Sequence, residues 1–191
     1  SPSAVNWQPM NSLRKPGTIL LQGLQAIAHG SDTVQYFQFR KSRGSFEKFH
    51  GALVDHVGGG NTRVFREVCQ VGDTLQKISA VAGSAAENKI ALIYDWENRW
   101  ALEEAKFATT DKGYDNTVIT HHTALMNAGF GVDVIDQTYP LDGYRVLVAP
   151  MNYLLKEGFA TRVKQFVQQG GTLVTTYVTG YVNQDDLCFM G

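Results

Sequence analysis

The chain has 191 residues, 43% of them hydrophobic and 18% charged, with a formal net charge of −1. That length buries a sizeable core and suits one domain, or one domain plus part of another. The even charge balance, without any Lys/Arg-rich stripe, argues against a nucleic-acid partner. No apolar run approaches the length of a bilayer span, and Cys69 and Cys188 are too few and too far apart for a disulfide framework or a zinc ribbon. Two reduced cysteines fit a cytoplasmic protein.

Residues 1–17 are rich in Pro, Ser and Asn and read as a loop presenting a single aromatic, Trp7. "TILLQGLQAIAHG" follows, with Ile19, Leu20, Leu24 and Ile27 at helical spacing and Gly30 as the stop. "DTVQYFQFR" is aromatic and β-branched, which predicts a buried strand over 32–39. Residues 40–62 are polar and carry Gly44, Gly51 and the run Gly58-Gly59-Gly60, the mark of a long loop. In "NTRVFREVCQVGDTLQKIS", Asn61 is the candidate N-cap and Val64, Val68, Val71 and Leu75 share one helical face. Cys69 falls on this helix and is expected in the core.

"SAVAGSAAEN", 79–88, is small and nearly uncharged and reads as a linker. The α/β rhythm then restarts. "KIALIYDW" reads as a strand, "NTVITHHTALMNAGFG" as a helix with a Gly stop, and "VDVIDQ" and "YRVLVAPMN" as strands. "KEGFATRVKQFVQQGG" reads as a helix and "TLVTTYVT" as a strand. Strands alternating with helices predict an open, doubly wound parallel sheet. The domains are therefore read as 1–79 and 89–191, joined by a linker at 80–88. The first has too few strands to close a barrel and the second stops without a terminal helix, so the sequence reads as a piece of a longer protein.

Several chemistries are disfavoured. A G-x-S-x-G elbow is absent, and neither cysteine sits in a tight strand-to-helix turn. His121 and His122 are adjacent, so they face different sides of a helix and lack the i, i+4 spacing of zinc helices. The Gly58–Gly60 run lacks both G-x-G-x-x-G and a P-loop Lys. The loop after the first strand of the second domain, "DWENRW", is bulky and charged where a phosphate wants Gly and Ser.

The remaining candidate is "YFQFRKSRGSFEKFHGALVDH", 36–56, at the C-terminal end of the strand expected at 32–39. In barrels of alternating strands and helices that end carries the active site. The segment offers Phe37 and Phe39, the carboxylate of Glu47 and the imidazole of His50, with Trp7 on a preceding loop. An aromatic platform with nearby donors and acceptors suits a sugar ring, whose C–H face packs on the indole while its hydroxyls seek hydrogen bonds. On spacing alone, a purely structural Glu47/His50 loop pair is the slightly stronger reading.

The strings "PSAVNWQP", "LQAIAHGSDTVQYFQFRKSRGSFEKFHGALVDH" and "NTRVFREV" resemble family 42 of the glycoside hydrolases, the microbial β-galactosidases. "KIALIYDWENRWAL", "RVLVAPMNYLL" and "GGTLVTTYVTGYVN" are similar to that family's second domain. The resemblance spans nearly the whole chain. It implies the last strands and helices of a (β/α)8 barrel, followed by a flavodoxin-like or amidotransferase-like doubly wound trimerisation domain. It also implies part of a retaining enzyme that hydrolyses terminal non-reducing β-D-galactosyl residues and assembles as a homotrimer.

Two Glu residues do the chemistry in the family. The nucleophile is expected about two residues upstream of Ser1 and the acid/base further upstream, so no catalytic residue is assigned here and the 191-residue chain alone is expected to be inactive. Trp7, Phe37, Glu47 and His50 match the family's galactose-binding positions. Zinc is bound upstream in some members, so no metal or cofactor is expected in this chain. "DWENRWALE", 95–103, suits a subunit interface or the rim of the active-site funnel, and equally an ordinary amphipathic helix start. A non-enzymatic assembly module, and a flavodoxin-like binding protein, stand as alternative readings.

Overall fold

A computed structural model describes residues 1–107 and 109–190. It divides into two units, residues 1–86 and residues 87 onward, with the division inside the small-residue stretch 79–88.

In the first unit, helix α1 (Thr18–Ala28) buries Ile19 and Gly23. Helix α2 (Arg63–Lys77) packs on it through Val71, the residue that α2 buries most fully. The hydroxyl of Thr62 accepts the Phe65 N–H at 3.2 Å, so Thr62 is the N-cap and the expected Asn61 lies one residue outside. Arg63 and Glu67, one turn apart, pair at 2.7 Å.

Two expectations are corrected here. Residues 32–39 form no strand and are half-buried to exposed, with a single parallel bridge just beyond them, Arg40 to Val54. A strand needs a ladder along its length, and among the described residues only the Gln38 and Phe39 carbonyls of this segment meet a neighbouring backbone, at the Leu53 and Val54 N–H groups. Cys69 is exposed, not core. It lies two residues before Val71, about 200° away around the helix, on the outward face.

The second unit is built on a parallel sheet. Its strands are β1 (Ile90–Ile93), β2 (Val132–Ile135), β3 (Val146–Ala149) and β5 (Thr172–Thr175), in the order β2-β1-β3-β5. β1 reads Ile-Ala-Leu-Ile and is buried throughout, as a strand covered on both faces must be. Its side chains alternate between two cores. Ile90 and Leu92 join Val148 against α3 (Trp96–Glu104) and α4 (Tyr114–Asn127). Ala91 and Ile93 join Leu147 and Ala149 against Phe159 and Phe166 of α5 (Phe159–Gln168). A separate parallel pair, β4 (Leu154–Leu155) and β6 (Val182–Asn183), was not visible in the sequence because two residues carry no periodicity. The strand expected over "TLVTTYVT" ends at Thr175, and α3 appears where the sequence left a helix start as one of two readings.

Candidate functional site

The first unit brings three of the four sugar-site candidates together. The N-terminal loop is fixed by its own polar groups: Ser1 Oγ donates to the Ala4 carbonyl at 2.8 Å, and Arg14 Nε to the Ser1 carbonyl at 3.3 Å. The loop of residues 41–53 is closed at its neck. Leu53 N–H donates to the Gln38 carbonyl, Val54 N–H to the Phe39 carbonyl at 2.8 Å, and Lys41 N–H to the Val54 carbonyl at 2.9 Å. Lys41 Nζ lies 3.1 Å from Asp55 at the same neck. Burial pushes the Asp55 carboxyl up, but the His56 N–H and the Lys41 ammonium outweigh it and hold the group below the usual carboxylate range.

The two loops meet at Gly51. Its N–H donates to the Ala4 carbonyl at 2.9 Å, and a Cβ there would collide with the Ser3 side chain and lie 2.5 Å from the Ala4 nitrogen. Only glycine permits this approach. Beside it His50 is buried, its ring stacked on Trp7 at 4.5 Å between centroids and 21° between planes. Phe37 meets the His50 ring edge-on at 5.5 Å. Trp7 and Phe37 are each 53% exposed, so both keep open apolar surface beyond the imidazole. That surface is what the C–H face of a sugar packs on.

Glu47 sits three residues before His50 on the same loop, and its backbone carbonyl accepts the His50 N–H at 2.9 Å. Its half-exposed side chain makes no hydrogen bond or ion pair among the described residues. The structure thus clusters Trp7, Phe37 and His50 and leaves the Glu47 carboxylate uncommitted. Sequence reasoning missed Asn6, whose Oδ1 lies 3.0 Å from His50 Nδ1 and whose Nδ2 donates to the Phe46 carbonyl at 2.6 Å. The available signal was an Asx residue next to the candidate aromatic.

The second unit has polar groups at the point where its strand order reverses, between the C-terminal ends of β1 and β3, where ligands bind in such sheets. Here the protein fills the position itself. Asp95 is fully buried, caps α3 through the Glu97 and Asn98 N–H groups, and lies 3.0 Å from Lys156 Nζ. Asn98 donates to the Met151 carbonyl and accepts from the Leu154 N–H, and Gln137 does the same for the Leu154 carbonyl and the Lys156 N–H. Burial lowers the Lys156 ammonium, but Glu97 and Asp95 outweigh it and hold its pKa above the ordinary value. These groups are spent on backbone and on one another, which makes the cluster a brace for the fold.

On α3, Trp96 and Trp100 are each 54% exposed, and the Arg99 guanidinium lies 5.3 Å over the Trp96 ring. The segment 95–103 is therefore both a capped helix start and an aromatic surface patch. His121 Nδ1 lies 2.8 Å from the Thr117 carbonyl, within its own helix. Among the described residues no group of three or more His, Cys, Asp or Glu could hold a metal ion, and no helix is long and apolar enough to cross a membrane.

Comparison with known proteins adds the family context. Residues 1–78 match the family model described as beta-galactosidase, and residues 88–191 match the one described as beta-galactosidase trimerisation domain. The chain is 53% identical over 192 residues to Beta-galactosidase BglY of Alicyclobacillus acidocaldarius and 52% identical to Beta-galactosidase Pbg of Clostridium perfringens. In each case all of this chain aligns with 28% of the relative. Among solved structures, a beta-galactosidase from Bacillus circulans sp. alkalophilus superimposes with a TM-score of 0.94 at 45% identity, covering 100% of this chain and 28% of that one. A catalytic mutant of a GH42 beta-galactosidase from G. stearothermophilus gives a TM-score of 0.95 at 46% identity, with the same coverage. The chain thus spans about 28% of the length of the curated relatives it matches.

Proposed function

This chain belongs to glycoside hydrolase family 42, the β-galactosidases, and we propose that it supplies the galactose-binding wall and the assembly domain of a retaining β-galactosidase. The observation that carries this reading is the Trp7–His50–Phe37 cluster. Two half-exposed aromatics converge on one buried imidazole, in the unit that matches the β-galactosidase model.

In this reading Trp7 and Phe37 pack on the apolar face of the galactosyl ring. His50 and Glu47 hydrogen-bond its hydroxyls, Glu47 as a carboxylate that binds and not as the nucleophile. A retaining mechanism needs two further carboxylates about 5–5.5 Å apart, and in the family pattern both belong to positions outside these residues. The chemistry of such a pair needs no metal or cofactor from this chain. The second unit would join three copies, with the Trp96/Trp100 patch as candidate contact surface, since exposed aromatics and Arg are enriched at interfaces. The two unpaired cysteines suit a cytoplasmic setting.

The test is hydrolysis of a nitrophenyl β-galactoside. The full-length protein carrying this sequence should turn it over, and Trp7→Ala in that protein should raise KM about tenfold or more through loss of the stacking surface. The 191-residue chain alone should show no turnover, and measurable hydrolysis by it would refute the assignment of roles. Sedimentation should give three copies; a monomer would remove the assembly role.

A further inference from the structure

This inference rests on the reading of His50 as a galactose-binding residue and concerns how that residue is prepared. The side-chain amide of Asn6 is oriented by its surroundings. Its Nδ2 lies 2.6 Å from the Phe46 carbonyl, and a carbonyl oxygen accepts only, so the NH2 group must point there. The other end of the amide, Oδ1, is then the atom 3.0 Å from His50 Nδ1. An amide oxygen cannot donate, so Nδ1 must carry the proton. In the neutral imidazole Nε2 is then the bare nitrogen and an acceptor. Among the described residues Nε2 has no hydrogen-bond partner.

A half-turn of the ring about χ2 would keep its plane but put the carbon Cδ2 where Nδ1 faces Asn6 Oδ1, so the Asn6 bond is the contact that selects this orientation. Trp7 stacked along one face and Phe37 edge-on hold the plane of the ring, and the backbone bonds of His50 and Gly51 to Glu47 and Ala4 hold the loop that carries it. We propose that Asn6 is a positioning residue: it holds His50 in the Nδ1–H form, so that Nε2 presents a lone pair to one hydroxyl of the bound galactosyl residue. The site then demands a donor at that hydroxyl. A sugar lacking it leaves the buried acceptor unpaired, which is how sites built around a hydroxyl reject deoxy analogues.

The experiment uses the full-length protein carrying this sequence, nitrophenyl β-galactoside, and its monodeoxy analogues, with the parent protein, Asn6→Ala and Asn6→Asp. Asn6→Ala should lower kcat/KM on the parent galactoside about ten- to hundredfold, the scale of one lost hydrogen bond to a buried group. On one monodeoxy analogue, the one missing the hydroxyl that Nε2 receives, Asn6→Ala should lose little more than the parent protein already loses. On the other analogues the losses should multiply. Asn6→Asp keeps an acceptor for Nδ1–H and should recover part of the activity, which also covers the case in which the alanine variant fails to fold. Equal losses on every analogue, or no recovery by Asn6→Asp, would overturn the proposal and leave the galactosidase reading standing. A parent protein inactive on all β-galactosides would overturn that reading itself.

Discussion

In the second unit the apolar side chains of β1 and β3 go to two cores, and Leu92, Ile93 and Leu147 are fully inaccessible. In the first unit the buried aliphatic side chains are Pro2, Ala4, Ile19, Ala52, Val54 and Val71, while Leu13, Leu21, Phe39 and Phe49 are more than 60% exposed. Both units have similar local signals: helices with apolar faces, and a β-branched, aromatic run. The difference lies in what surrounds them. Helices α1 and α2 satisfy their hydrogen bonds internally and form in either setting. A strand needs partners, and only the second unit holds four that pair side by side.

The strongest test of this contrast is to separate the units. Residues 87–191 expressed alone should unfold in one cooperative thermal transition, followed by circular dichroism and calorimetry, because both faces of the sheet are covered. Residues 1–86 alone should show no cooperative transition, since so little apolar surface is buried. A sharp transition in the first unit would break the comparison.

A smaller effect sharpens it at single side chains. Asp95→Ala should cost the second unit about 3 kcal/mol, measured by urea denaturation, through loss of the α3 cap and of the buried partner of Lys156. Glu47→Ala in the first unit should stay within about 0.5 kcal/mol, because its half-exposed carboxylate holds nothing in the fold. A costly Glu47→Ala would mean that this residue is structural and would weaken its sugar-binding role.

The smallest expected effect is an alkaline pH dependence in the second unit. The Tyr144 hydroxyl donates to Asp133 Oδ2 at 2.8 Å, and burial together with that carboxylate pushes its pKa from 10.0 up to about 12. The folded value lies above the unfolded one, so the contribution is complete below pH 10 and is lost as pH rises toward about 12. Tyr144→Phe should make the fall in urea midpoint over that range shallower. Part of the fall should remain, because Tyr94, Tyr114 and Tyr153 are also shifted upward. An unchanged slope would remove Tyr144 from the account.

Much of the second unit was legible in the chain itself. β1, a short continuous apolar run bounded by polar residues, reads as a strand covered on both faces, and the helix-length runs that include Val118 and Phe166 placed α4 and α5. The short pair β4 and β6 was not legible, because two-residue strands exist only through their partner. In the first unit the aromatic and β-branched composition of 32–39 called for a strand, and the described residues supply no ladder for one.

The candidate site divides along the same line. Residue type offered Trp7, Phe37, Phe39, Glu47 and His50, and the resemblance to the family narrowed these to Trp7, Phe37, Glu47 and His50. Which of them meet, and in what state, depended on folding. Position 6 and position 50 are far apart along the chain, and only the approach that Gly51 allows brings the Asn6 oxygen to His50 Nδ1 and assigns its proton. Periodicity and composition act over a few residues and set element types and candidate chemistry. The tautomer of an imidazole and the closure of a loop are set by hydrogen bonds between distant residues, and those exist only in the tertiary structure.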